Sequence, residues 1–140
     1  MRKLFAALAA TLCAVAQTPT RTVWDAVYTS EQATRGEALY TSTCAGCHGN
    51  SLQGGESAPP LSGVEFFSNW NTLSVGDLFE RVRVSMPLNK PGSLNREQNA
   101  AIVAYVLRFS KFPAGSAELP QRTEMLNDIR IEMYKPEVKK

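Results

Sequence analysis

The chain has 140 residues, 44% of them hydrophobic and 20% charged, the proportions of one small globular domain rather than a disordered or fibrous protein. Its formal net charge of +2 includes Arg2 and Lys3 of the leader described next; without them 13 basic residues stand against 13 acidic ones. That balance gives no electrostatic footprint for nucleic-acid binding, and none is expected.

Met1-Arg2-Lys3 is a basic start, and residues 4–16 (LFAALAATLCAVA) form an apolar run too short to span a membrane. Ala14-Val15-Ala16 supplies small residues for cleavage. Residues 1–16 therefore read as a signal peptide, with a periplasmic mature chain that starts near Gln17 and has no transmembrane segment. A lipoprotein anchor on Cys13 is the competing reading, against which Leu12 stands where such signals carry a small residue. After cleavage Cys44 and Cys47 remain, in an oxidising space where an unconsumed pair tends to oxidise. Residues 17–28 form an N-terminal extension in which Trp24 is either packed or exposed.

Thr29-Ser30-Glu31-Gln32 reads as a capping box, with the Thr29 hydroxyl on an early helix amide and Gln32 reaching back. It predicts a helix over 30–43 whose buried face is Ala33, Gly36, Tyr40 and Thr43. That helix delivers Cys44-Ala45-Gly46-Cys47-His48. Two thiols separated by two residues can each form a thioether with a haem vinyl group, and the next residue aims an imidazole at the iron; C-x-x-C-H is the signature of such attachment. A thioredoxin-like dithiol wants a βαβ pattern that is missing here. Structural zinc wants four Cys/His ligands, and the chain holds a single His. One covalently attached haem c, tethered by Cys44 and Cys47 with His48 on the iron, is the expectation.

Residues 49–63 (GNSLQGGESAPPLSG) are rich in Gly, Ser and Pro and read as loop, which Gly54 and Gly55 allow to approach a planar ligand closely. Ser74-Val75-Gly76-Asp77 starts a second helix with Leu78, Phe79 and Val82 on one face. It should stop near Ser85, because Pro87 disfavours helical geometry at Met86. Residues 89–94 are loop again, with Pro91-Gly92 as a turn. Asn95 caps a third helix over 96–110, where Ile102, Val103, Val106, Leu107 and Phe109 make a broad apolar surface. Residues 113–140 are a tail: Pro113-Ala114-Gly115 breaks the helix, Met125, Leu126 and Ile129 at helical spacing predict a short extra one, and 135–140 are solvated. No alternating strand pattern appears, so the fold class is all-α.

The iron face opposite His48 decides between carrying electrons and binding small ligands, and methionine sulfur there raises the reduction potential. Met1 leaves with the leader, while Met125 and Met133 read as packing on an amphipathic stretch. Met86 sits at a helix-to-loop junction in Ser85-Met86-Pro87, where the proline fixes its direction, and is the expected sixth ligand.

The order of capped helix, CAGCH, Gly/Pro-rich loop, SMP and final amphipathic helix resembles class I cytochrome c over residues 29–112. The resemblance implies that fold, with three main helices and Gly/Pro-rich loops around one haem. Gly36 and Tyr40 in GEALY, with Tyr105 in AYV, resemble the residues where the family's first and last helices cross. Pro59 in Ala58-Pro59-Pro60 resembles the proline whose carbonyl accepts the ligand histidine's other N–H, Pro60 being the alternative. Trp70 resembles the aromatic beside a haem propionate, or is a plain buried tryptophan. At finer grain GEALYTSTCAGCHG, DLFERVRVSMP, NKPGSL and IVAYVL are similar to cytochrome domains that accompany bacterial quinoprotein alcohol dehydrogenases.

The expected function is outer-sphere transfer of single electrons between redox partner proteins, with no substrate bond made or broken, so the protein is not expected to be an enzyme. A quinoprotein dehydrogenase, a terminal oxidase and a respiratory complex are the candidate partners. The alternatives are a haem-bearing subunit of a larger oxidoreductase, docked through residues 17–27 or the tail, and a haem ligand sensor with Met86 off the iron. Ala45, Gly46, Met86, Pro87 and Leu88 are expected to border the accessible haem edge.

Overall fold

Three residues that can accept a helix amide, Thr29, Ser74 and Asn95, start the three expected helices. The computed structural model describes residues 21–137. The expected signal peptide over 1–16, with Cys13, the first residues of the expected extension and residues 138–140 lie outside the described residues. In chain order the elements are β1 (Arg21–Thr22), α1 (Ser30–Thr43), α2 (Ala45–His48), α3 (Gly63–Trp70), α4 (Val75–Ser85), α5 (Arg96–Phe109), α6 (Thr123–Leu126) and β2 (Ile129–Arg130).

At the start of α1 the Thr29 hydroxyl accepts the Gln32 amide at 3.1 Å, but the expected capping box is only half formed. The Gln32 side chain turns inward instead of reaching back. There its carboxamide exchanges two hydrogen bonds with the Leu119 backbone, at 3.0 and 2.7 Å, and both residues are fully buried. A carboxamide offers the donor and acceptor that a neighbouring strand would, so both partners leave water already satisfied. Ala33, Gly36 and Tyr40 are buried as the spacing predicts, whereas Thr43, where the chain turns towards α2, is half-buried.

Gly36 is where α1 meets α5: a Cβ there would lie 1.8 Å from the Ala101 carbonyl oxygen. One turn on, the rings of Tyr40 and Tyr105 are 5.3 Å apart, and Arg108 reaches across to Thr34 and Glu37. These are the crossing residues the class I resemblance implies. Capping boxes at Ser74–Asp77 and Asn95–Gln98 open α4 and α5. The first of the two helices ends at Ser85 because Met86, held before Pro87, is extended at φ −118° and ψ 155°.

Helix α3 starts at the last residue of the expected loop and fills a stretch to which the sequence pattern assigns no element. Ser62 makes no side-chain cap bond to it, so no local start signal exists. Packing holds it instead: Phe66 and Phe67 are buried, their rings lie 5.3 Å apart, and Phe67 meets Phe112 edge-on at 5.7 Å.

The tail folds back over the helices. Leu119, Leu126, Ile129 and Ile131 are fully buried, each contributing about 2 kcal/mol of apolar burial. The expected extra helix is present as α6, but Met125 is exposed and Ile129 belongs to β2, so the three residues share no helical face. β2 pairs in parallel with β1, Arg21 opposite Ile129 and Thr22 opposite Arg130. Trp24 is half-buried beside this pair; its indole N–H donates to the Glu132 carbonyl at 3.0 Å and its ring stands edge-on to Phe112 at 4.8 Å.

Candidate haem site

Tyr40 brackets the attachment motif from both sides. Its carbonyl accepts the Cys44 amide at 2.8 Å, and its hydroxyl donates to the Gly49 carbonyl at 2.7 Å. Between these anchors the His48 amide donates to the Cys44 carbonyl at 3.0 Å and the Gly49 amide to the Ala45 carbonyl at 2.9 Å, which closes α2 as a single turn. The turn gathers Cys44, Cys47 and His48. Cys47 is exposed and Cys44 half-buried, and burial pushes the Cys44 thiol up to about 11. Thioether formation removes that titration altogether.

His48 is buried, 8% exposed, with Nδ1 2.8 Å from the Pro59 carbonyl oxygen. A carbonyl only accepts, so Nδ1 carries the hydrogen and donates it, and the lone pair is left on Nε2. The accepting residue is Pro59 and not Pro60. The loop reaches this register through Gly54, at φ +75°, whose amide donates to the His48 carbonyl at 2.8 Å; a Cβ there would lie 2.5 Å from the Pro60 nitrogen. The Gly55 amide donates to the Ala58 carbonyl at 2.9 Å. The glycines thus serve the loop's return onto His48. The Gly54-Gly55 pair ahead of Pro59 is the signal that marks it.

The donor set fits haem better than a bare ion. Among the described residues no three His, Cys, Asp or Glu side chains cluster around a common point, so an ion bound here must bring most of its ligands with it, as porphyrin iron does. One imidazole with its tautomer fixed and two thiols on one turn are the protein's share.

Met86 and Trp70 lie on other elements and make no hydrogen bond to this cluster. Met86 is half-buried as the C-cap of α4, its amide donating to the Val82 carbonyl at 3.0 Å. Trp70 ends α3, half-buried, with its ring 6.2 Å from that of Phe66. Among the described residues its indole N–H has no protein acceptor, unlike that of Trp24. Leu88, two residues past Met86, is 73% exposed, and Val84 on the last turn of α4 is exposed too.

The family described as cytochrome c oxidase, cbb3-type, subunit III matches residues 31–106, more than half of the chain. The chain belongs to this cytochrome c family. The match runs from the first turn of α1 through Val106 of α5 and takes in the C-x-x-C-H turn, so the protein binds haem c covalently and its cytochrome domain is a redox carrier. Among solved structures, the sulfane dehydrogenase SoxCD from Paracoccus pantotrophus is similar at 26% identity and a TM-score of 0.51, over 64% of this chain and 53% of that one. The chain therefore spans about half the length of that relative. No curated protein sequence matches it. The cbb3-type cytochrome match and the helices agree on the expected all-α, class I cytochrome c fold. No helix among the described residues is long and apolar enough to cross a membrane.

Proposed function

We propose that the protein is an exported, periplasmic monohaem cytochrome that takes single electrons from a donor protein, such as a quinoprotein dehydrogenase, and passes them by outer-sphere transfer to a respiratory acceptor. The observation that carries this reading is the His48–Pro59 hydrogen bond beside two thiols on one turn. Haem c, when bound, supplies a one-electron iron couple. Cys44 and Cys47 would tether it and His48 would offer Nε2 to its iron, while the Pro59 carbonyl holds the ring's orientation and raises its basicity. Met86 would offer soft thioether sulfur to the bound group, a donor that favours reduced iron. Trp70 has an indole N–H free to donate to a propionate. Exposed Leu88, next to Pro87, gives an apolar rim suited to the small, short-lived contacts of electron-transfer partners.

The test is the absorption spectrum of haem-loaded protein, oxidised and reduced, with and without carbon monoxide. Low-spin spectra unchanged by carbon monoxide, with the oxidised sulfur-to-iron band, support His48/Met86 ligation and the carrier. Rapid carbon monoxide binding overturns it in favour of a haem ligand sensor.

The likeness to part of a longer dehydrogenase chain favours a second reading, a haem-bearing subunit of a larger oxidoreductase. The haem chemistry is shared by both readings; stable co-elution with one partner enzyme distinguishes the subunit from a carrier that exchanges between partners.

A further inference from the structure

Helix α4, whose C-cap is Met86, is tied down by chain that lies outside the residues the family match covers. In its middle, the Glu80 carboxylate accepts the Thr123 hydroxyl from α6. The same carboxylate takes a forked set of bonds from Arg83, at 3.0 and 3.1 Å from Nε and 2.7 Å from Nη2. Arg83 stands three residues before Met86. At the start of the helix, a Cβ on Gly76 would lie 2.0 Å from Asn127 Oδ1, so α4 and the residue after α6 touch without a gap. The linker ahead of α4 is held as well: the Thr72 amide donates to the Ile131 carbonyl and the Ile131 amide to the Leu73 carbonyl, both at 2.8 Å.

We propose that residues 119–131 are a brace that fixes the approach of Met86 through α4, with Thr123 and Glu80 as positioning residues. The inference rests on the reading of Met86 as an axial ligand. A neutral thioether binds iron weakly compared with a charged donor, so its hold depends on how little the helix carrying it can turn. A charge-assisted network that joins Thr123, Glu80 and Arg83 resists that turning at the last two turns of α4. Neither positioning residue belongs to the attachment turn, and loosening them acts on the population of sulfur-ligated iron.

The experiment uses the full-length haem-loaded protein with Thr123→Val, which keeps the side chain's size and removes its hydroxyl, and Thr123→Ser, which restores the hydroxyl. Thr123→Val is expected to weaken the sulfur-to-iron band and speed carbon monoxide uptake by reduced protein about tenfold, with Thr123→Ser close to wild type. Glu118→Gln, which breaks the tail's ion pair with Arg35 away from α4, should leave both readouts unchanged. A wild-type sulfur band with no change in Thr123→Val overturns the brace and leaves Met86 ligation standing. A wild-type protein without that band overturns both. Equal effects of Thr123→Val and Glu118→Gln overturn the route through Glu80, because general loosening of the tail then suffices.

Discussion

Gln32 and Leu119 lie 87 residues apart in the chain and face each other through two opposed hydrogen bonds, side-chain amide to backbone amide. Both are fully buried, so water cannot replace either bond. Gln32→Leu keeps the volume and strands both Leu119 backbone groups. It should lower stability by about 3 kcal/mol, read as a shift in the denaturant midpoint of the haem-loaded protein. An unshifted midpoint would show that the tail does not depend on this pair.

Gly36→Ala places a methyl group 1.8 Å from a backbone oxygen of α5, which has no rotamer by which to move away. The two helices must separate. A loss of about 3 kcal/mol or more is expected, visible as a lowered thermal midpoint and a smaller yield of haem-attached protein. Full yield and an unaltered midpoint would mean that the crossing can slide.

Gly54→Ala attacks the site through its loop. The new Cβ meets the Pro60 backbone and sits at positive φ, so the Pro59 carbonyl is displaced from His48. Losing that acceptor makes the imidazole a poorer donor to oxidised iron, and the reduction potential should rise by on the order of 30 mV, half of the roughly 59 mV that a tenfold change represents for one electron. Pro59→Ala keeps the carbonyl and should shift the potential less. A potentiometric titration in which the two variants shift equally would remove the hydrogen bond from the account.

Glu80 is held at about 2, below the ordinary 4.5, by its bonds from Arg83 first and Thr123 second. A carboxyl depressed in the folded state adds stability above its unfolded value, and that stability is lost as pH falls from about 4.5 towards 2. Because the side chain is 31% accessible, screening reduces the contribution to about 1 kcal/mol. Glu80→Gln should therefore be less stable than wild type near neutrality and converge with it in acid. Denaturant unfolding across that pH range checks the convergence; parallel curves would contradict it.

What the sequence discloses here is whatever is settled within a few residues. Thr29, Ser74 and Asn95 mark helix starts because a cap acts over a single turn, and Pro87 marks the end of α4 through its effect on the residue before it. The C-x-x-C-H turn is legible for the same reason, its groups being nearly contiguous. Helix α3 escapes because aromatic packing against Phe112, not a cap, supports it. The choice between Pro59 and Pro60 escapes because a backbone angle at Gly54 sets the register. Gln32 is misread because its local partner, the Thr29 backbone, loses to a distant one.

The Trp24–Glu132 hydrogen bond closes a stretch of 108 residues, and the β1–β2 pair closes one of the same order. Contacts so far apart repay their loop-closure entropy only after nearer ones have formed. The two strands depend on each other: removal of either leaves the other's backbone groups without their ladder partners, so a change near Arg21 is felt at Ile129.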